Sequence, residues 1–314
     1  SMLSGFQEAA QKIQEKDEYA LVPFFRFYDT VHTFLDGSIR RVIERCQKAA
    51  DNGDGIEQQD VDVLKLLYLI RYIDDIPSNL DNIVILMADD IRVDKIIMRE
   101  AVRGCLDRLM SQNYIGRTGD TYNFLTDEEQ EVNNEIEKEN VETPEIITKV
   151  AEMIFEDIFP GKRYTYPVFN GRYAFGFNQF VDDRPYKANQ NYDIGLRVLT
   201  PWYDGSTEDG TLRMMSGQSR EVLVVLPNDA EFLTEIQSYL KIEGFLRKNT
   251  STQLAKYETI KEAKRVEMRE RNQNAKLYLT EALKEATIYV NGDVVRVNGK
   301  EVVSRINEAI GRLV

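Results

Sequence analysis

Residues 60–76, DVDVLKLLYLIRYIDDI, constrain the fold of this chain more than any other stretch. Apolar side chains recur on nearly every side of a helix drawn through them, which predicts a buried helix rather than one lying on a surface. Pro77-Ser78-Asn79 supplies a stop and a new cap, after which Leu80, Ile83, Val84 and Met87 continue at helical spacing. Residues 94–112 predict a third helix with Ile97, Ala101, Cys105, Leu106 and Leu109 on its inner face. Between Tyr114 and Leu125, apolar residues flank a glycine-containing turn, the signature of a β-hairpin. Three helices closed by a hairpin predict a winged helix over residues 56–126.

The segments on either side set the fold class. Residues 1–55 predict a helical region. Ser4-Gly5-Phe6-Gln7 has capping-box spacing, and Pro23 suits the first turn of an aromatic helix with Phe24, Phe25, Phe27, Tyr28 and Phe34. Ile39, Val42, Ile43 and Cys46 recur at helical spacing until Asn52-Gly53-Asp54-Gly55 breaks the run. The acids of that break do not fall at calcium-loop positions, and no closing glutamate is in register, so it reads as a plain interhelix turn.

Residues 127–145 hold nine acids against one base, Lys138. They predict a solvated acidic helix and linker, with an acidic contact strip or autoinhibitory tail as the functional alternative. Residues 146–249 predict a small α+β domain on an antiparallel sheet. A helix over 146–159 would lead into aromatic strands with Tyr164, Tyr166, Phe169, Tyr173, Phe175, Phe177 and Phe180. Further strands are expected at 194–200, 212–215 and 221–226, then a helix over 230–240. Residues 250–314 predict a long charged helix, a β-hairpin turning at Asn291-Gly292, and a terminal helix on Val302, Val303, Ile306, Ala309, Ile310 and Leu313. In the long helix Leu254, Tyr257, Ile260, Leu279, Ala282, Leu283 and Ala286 are too sparse for a heptad repeat. The chain is therefore expected to be α+β and multi-domain.

Composition removes several function classes. The 314 residues carry 40 Lys+Arg against 53 Asp+Glu, a net charge of −13, which excludes a uniformly basic nucleic-acid binder. No apolar run approaches the ~18–20 residues of a membrane span. Two cysteines, Cys46 and Cys105, argue against a disulfide framework and for a reducing, cytoplasmic setting. Neither has a Cys-x-x-Cys partner, so both read as small buried helix residues rather than zinc ligands. His32 is the single histidine, which removes most histidine-based triads. The acid pairs Asp74-Asp75, Asp89-Asp90 and Asp182-Asp183 are sequence neighbours whose side chains diverge, unlike an acid/base pair. No Gly-x-x-x-x-Gly-Lys-Ser/Thr loop is present; Gly161-Lys162 and Gly299-Lys300 lack the upstream glycine and the Mg²⁺-binding hydroxyl. Nothing in the chain marks a small-molecule substrate.

One constellation carries interaction chemistry. A winged helix that binds DNA places its third helix in the major groove and its wing against the backbone. Lys95, Arg99, Arg103 and Arg108 lie on the third helix, and Arg117 and Thr118 sit at the wing tip. These six residues are the candidate DNA contacts. Against them, residues 56–126 hold twelve acids and eight bases, so a phosphate backbone would meet an opposing field. A packing or partner role is the favoured reading and DNA contact the alternative. The aromatic-rich sheet could stack single-stranded bases, but a core and interface role accounts for it more simply. Lys261, Lys264, Arg265, Arg269 and Arg271 of the long helix could track a phosphate backbone, with a solvated face as the default.

The stretches EYALVPFFRFYDTVHTFLDGSIRRVIERCQKAADNGDG, QDVDVLKLLYLIRYIDDI and ILMADDIRVDKIIMREAVRGCLDRLMSQNYIGRTGDTYNFLTDEEQ resemble the BrxC family of BREX phage-defence P-loop proteins, related to PglY. A weaker likeness runs through EVLVVLPNDAEF and the long helix. The resemblance implies a piece of a large protein whose AAA+-like ATPase region lies upstream, so ATP and Mg²⁺ are expected only in that upstream part and no cofactor here. It also implies that residues 6–55 are a helical lid and 56–126 the winged helix that follows one. Ser1 ahead of Met2 has the form of a residue left by tag removal, and the abrupt amphipathic end fits the same expectation. The implied role is a non-catalytic scaffold that relays nucleotide state, assembles the defence complex with other defence proteins or itself, or engages DNA. A hydrolase or nuclease site hidden in the α+β domain is a remote third reading, requiring a carboxylate cluster that spacing does not reveal.

Overall fold

The computed structural model describes residues 19–71, 73–248 and 257–314. The capping box at Ser4–Gln7 and the apolar position Leu254 lie outside them. The chain divides into two compact units: one holds the described residues up to Lys138 with 257–263, the other Glu139 to Lys248 with 264–314.

In the first unit, the aromatic stretch after Pro23 is a chain of short turns (Phe24–Phe27, Tyr28–Val31, His32–Phe34) rather than one helix. α1 (Gly37–Asn52) starts where the Asp36 carboxylate accepts from the Ser38 N–H at 2.8 Å. It stops at Gly53, whose φ of +70° suits the left-handed cap that glycine adopts without a Cβ clash. α2 (Gln58–Ile70) opens with a reciprocal cap between Glu57 and Asp60 and buries Val61, Val63, Leu64, Leu66, Leu67 and Ile70. The near-continuous apolar run is thus a core helix, but it ends six residues before Ile76. Bonds from Ile73 N–H to Ile70 C=O and from Ile76 N–H to Ile73 C=O tighten the chain into turns ahead of Pro77, which disfavours a helical residue before it.

α3 (Leu80–Met87) is capped by Asn79, and α4 (Lys95–Ser111) by Asp94. β1 (Ile115–Thr118) and β2 (Thr121–Phe124) pair antiparallel, with Ile115 opposite Phe124. The hairpin is tied back to the helices by a bridge between Asn79 and Thr121 and by the Tyr122 N–H donating to Ser78 C=O at 2.9 Å. The inner face of α4 is Val102, Cys105, Leu106 and Leu109. Ile97, expected inside, is 69% exposed, because only the C-terminal part of the helix reaches the core.

α5 (Asp127–Glu137) follows with a Thr126/Glu129 capping box. It is not simply the solvated face its composition suggests. Val132 and Ile136 are buried, Asp127 pairs with Arg45 at 2.9 Å and Arg41 at 3.6 Å, and Glu129 pairs with Arg71.

The second unit begins with α6 (Thr143–Glu152), which runs into a π-helical turn, Met153–Ile158. β3 (Arg163–Thr165) and β4 (Ala174–Gly176) form a separate hairpin. The main sheet has six strands: β5 (Asn178–Val181), β6 (Arg184–Pro185), β7 (Gly195–Leu199), β8 (Glu221–Val225), β9 (Thr287–Val290) and β10 (Asp293–Val295), in the order β10-β9-β8-β7-β5-β6. β5, β7 and β8 run parallel while the edges are antiparallel, so the sheet is mixed rather than antiparallel, and it takes in the C-terminal Asn-Gly hairpin. The strand expected at 212–215 is instead inside α7 (Asp209–Ser219). Parallel β7 and β8 need a crossover between them, and α7 lies in that connection.

α8 (Glu231–Lys248) starts where the Asp229 carboxylate accepts from the Glu231 N–H at 3.1 Å. With α9 (Glu258–Lys284) and α10 (Val302–Leu313), it joins Leu196, Val198, Val222 and Val224 of the sheet in one apolar core that includes Phe232, Leu279 and Ile306.

Candidate functional site

Three of the six candidate residues meet in one groove of the first unit. Arg99 and Arg103, one turn apart on α4, line it with Arg117 of β1, forming a groove of about 430 Å³. The same walls carry Asp81 from α3, Asp107 from α4 and Asp120 from the hairpin turn. Arg99 forms an ion pair with Asp81. Arg103 lies 3.7 Å from Glu100. The Arg117 Nε donates to the Gly119 carbonyl at 2.9 Å, and its guanidinium sits 5.5 Å from the Tyr122 ring centroid. Three guanidinium groups thus face three carboxylates. Phosphate binding gains its affinity from uncompensated positive charge, and little is left over here.

The other three candidates stand apart from the groove lining. Lys95 is exposed at the first position of α4, with no carboxylate partner among the described residues. Thr118 is half-buried, and its carbonyl accepts from the Thr121 hydroxyl at 2.9 Å, which tightens the hairpin turn. Arg108 is committed to the fold. Its Nε and Nη2 reach the Asp60 carboxylate at 2.7 and 2.8 Å, and Asp60 is fully buried. Sequence reading set Asp107, four residues after Arg103, against the arginines of this helix but missed Asp81 and Asp120, which lie on other elements.

Neighbouring apolar residues are unusually open. Ile85, Ile91, Ile96 and Ile97, on α3, the α3–α4 connection and the first turn of α4, are 64, 61, 77 and 69% exposed. Ile96 and Ile97 are adjacent in sequence, so the first turn of α4 presents apolar surface to solvent.

The remaining titratable residues take structural places. Cys46 and Cys105 are buried and free, and burial, reinforced by the Asp60 charge, pushes both thiols up to about 12. His32 is exposed, with Nδ1 2.7 Å from the Asp29 carbonyl oxygen. Asp182 is buried, and its carboxylate accepts from the Thr200 N–H at 2.7 Å and the Thr200 hydroxyl at 2.8 Å, while Asp183 is exposed 4.0 Å from Arg197. Burial pushes Asp182 above the usual carboxylate range. In α9, Lys261 pairs with Glu258, Lys264 with Glu267, and Arg271 with Glu235 and Glu267. Among the described residues no group of three His, Cys, Asp or Glu could hold a metal ion.

Neither Gly-Lys pair fits a nucleotide phosphate. β3 starts directly after Lys162, so no helix N-terminus follows Gly161. The Asn298 and Gly299 N–H groups, which a phosphate would need, donate to the Glu308 carboxylate at 2.8 and 3.2 Å.

Residues 139–313 match the family model described as the BREX ATP-binding protein BrxC 4th domain with six-stranded beta sheet. The chain belongs to the BrxC family. The match opens at the first residue of the second unit, and that unit holds the six strands which the description names. This BrxC-family chain is thus a piece of a phage-defence system protein. No solved structure matches it. No helix among its described residues is long and apolar enough to cross a membrane.

Proposed function

We propose that this BrxC-family segment is a non-catalytic interaction scaffold, relaying nucleotide state or assembling the defence complex, and that residues 56–126 act in it as a winged helix that contacts protein. The observation that carries this is the charge balance of the Arg99/Arg103/Arg117 groove against Asp81, Asp107 and Asp120. A surface with internally matched charges and open isoleucines beside it suits a protein partner, where polar pairs set register and apolar side chains supply the area. The partner belongs to the same defence system or is a second copy of this chain. In the chain's natural setting the lid-like residues 1–55 would transmit the state of an upstream ATPase to this surface.

The test is copurification of the chain with the other proteins of its defence system, with and without Ile96→Asp and Ile97→Asp. Loss of the complex with an unchanged melting curve supports the reading. Retention of every complex by the double variant refutes it.

The alternative, DNA contact through the third helix and wing, draws on Lys95, which no described carboxylate neutralises, and on the weak Arg103–Glu100 pair. It predicts duplex binding that falls steeply with salt and is lost with Arg99→Glu and Arg103→Glu together.

A further inference from the structure

The second unit carries a feature that its core does not require. The β3–β4 hairpin ends in a turn, Val168–Gly171, where Phe169, Asn170 and Gly171 all have positive φ, at +60, +58 and +70°. A phenylalanine in the left-handed region is costly, and such strain normally persists where packing over-determines it. Here the Phe169 side chain is 68% exposed, with Tyr173 beside it at 56% and a ring-centroid separation of 6.1 Å. The strain presents an aromatic pair to solvent and buries neither ring.

Within the same unit a cleft of about 400 Å³ opens between the π-helical turn 153–158, strand β5 and the segment 186–192 that follows β6. Its walls include Phe155, Phe177, Tyr186 and Tyr192, with the Asn189 amide and the Lys162 and Lys187 side chains in the lining. Tyr192 is half exposed, and Asn189 makes no hydrogen bond among the described residues. The one carboxylate in the lining, Glu156, is taken up by the Tyr186 hydroxyl. π-Helical turns recur at functional sites; in this one Met153, Ile154 and Phe155 stay buried, so the core itself forms one wall of the cleft.

Charge completes the argument. Residues 162–192 hold five bases, Lys162, Arg163, Arg172, Arg184 and Lys187, against two acids, in a chain of net charge −13. None of the five meets a carboxylate among the described residues, and all five are exposed. Of the two acids, Asp182 is buried against Thr200 and Asp183 faces Arg197. In the Arg99/Arg103/Arg117 groove, by contrast, Asp81, Asp107 and Asp120 share the lining with the three arginines.

We infer that the β3–β4 hairpin and the Phe155/Tyr186/Tyr192 cleft form a binding surface for single-stranded nucleic acid. Unpaired bases offer flat faces to Phe169, Tyr173 and Tyr192, and the unmatched Lys and Arg side chains neutralise the backbone. The free Asn189 amide supplies a donor and an acceptor to one base edge. A duplex buries its base faces and leaves the exposed rings without partners, which selects the single strand.

The test is fluorescence anisotropy of a labelled oligothymidylate with the full chain at about 50 mM salt, followed by salt titration. Binding that weakens with salt, falls about tenfold or more in Phe169→Ala with Tyr173→Ala, and is outcompeted by unlabelled single strand but poorly by duplex supports the proposal. Both rings are exposed, so that variant should melt like the parent. A second variant, Lys162→Glu with Arg172→Glu, should weaken binding and flatten the salt dependence. The Arg99→Glu and Arg103→Glu variant should bind like the parent, which separates this surface from the winged helix. Absence of binding, indifference to the aromatic variant, equal competition by duplex, or capture of a defence-system protein through the same residues in place of the oligonucleotide would overturn it.

Discussion

The Arg108 guanidinium clasps the buried Asp60 carboxylate through two hydrogen bonds, Nε to Oδ2 at 2.7 Å and Nη2 to Oδ1 at 2.8 Å. Asp60 also accepts from the Glu57 N–H at 2.9 Å, so one carboxylate caps α2 and anchors α4 at once. Because this pair fixes the half-buried Arg108 guanidinium against the core, charge on the third helix divides into a structural cation and a surface pair. Replacing Arg108 with Ala should destabilise the chain by about 3–5 kcal/mol, since it strands a buried carboxylate. Arg103→Ala should stay within about 0.5 kcal/mol. Urea unfolding of the two variants checks this, and comparable losses would show that Arg108 is only a surface residue.

Both thiols are buried and pushed up to about 12, so neither is nucleophilic at neutral pH. A disulfide-exchange reagent at about pH 8, below the ordinary thiol value of ~8.5, should label almost no thiol in the folded chain and both after denaturation. Rapid labelling of one thiol without urea would place that cysteine at the surface.

Asp90 is held down to about 2 by hydrogen bonds from the Arg92 side chain and N–H. A depressed carboxylate stabilises the fold above its unfolded value, and the stabilisation fades as pH falls from there through about 2. An NMR titration should find the Asp90 carboxyl near 2 and moved up toward the ordinary value in Arg92→Ala. A midpoint near 4 in the parent chain would contradict the pairing.

Asn291 and Gly292 form the hairpin turn with φ of +52 and +86°. Gly292→Ala puts a side chain into a left-handed backbone, where the conformational cost is about 1–2 kcal/mol. Gly210→Ala, on an open helical face, should instead be neutral or slightly stabilising. Thermal unfolding distinguishes the two, and equal effects would mean the turn does not hold this conformation.

Local signals in the sequence were read correctly where a short-range rule decides. The break at Asn52-Gly53, the cap at Asn79, the Asn291-Gly292 turn and the order of three helices followed by a hairpin depend on residues within a few positions of one another. The 212–215 run failed because four residues fit a strand and a helix equally well; the parallel pairing of β7 and β8 on either side makes that connection a helical crossover. Of the candidate site, the Arg99/Arg103 face was legible as a helical i,i+4 pair. Its neutralisation by Asp81 and Asp120 was not, because those acids lie on other elements.

By itself the sequence determined that this chain is α+β, that its longest apolar run is a core helix, and that its relatives are phage-defence proteins of the BrxC type. Only the tertiary structure decided which charges are free. Hydrophobic spacing is written along one helix or strand, whereas charge compensation falls off over a few ångströms in space and depends on which distant segments the fold brings together. That is why Arg108 belongs to Asp60, and Asp127 and Glu129 of α5 to Arg41, Arg45 and Arg71, while the cations around the β3–β4 hairpin stay unmatched.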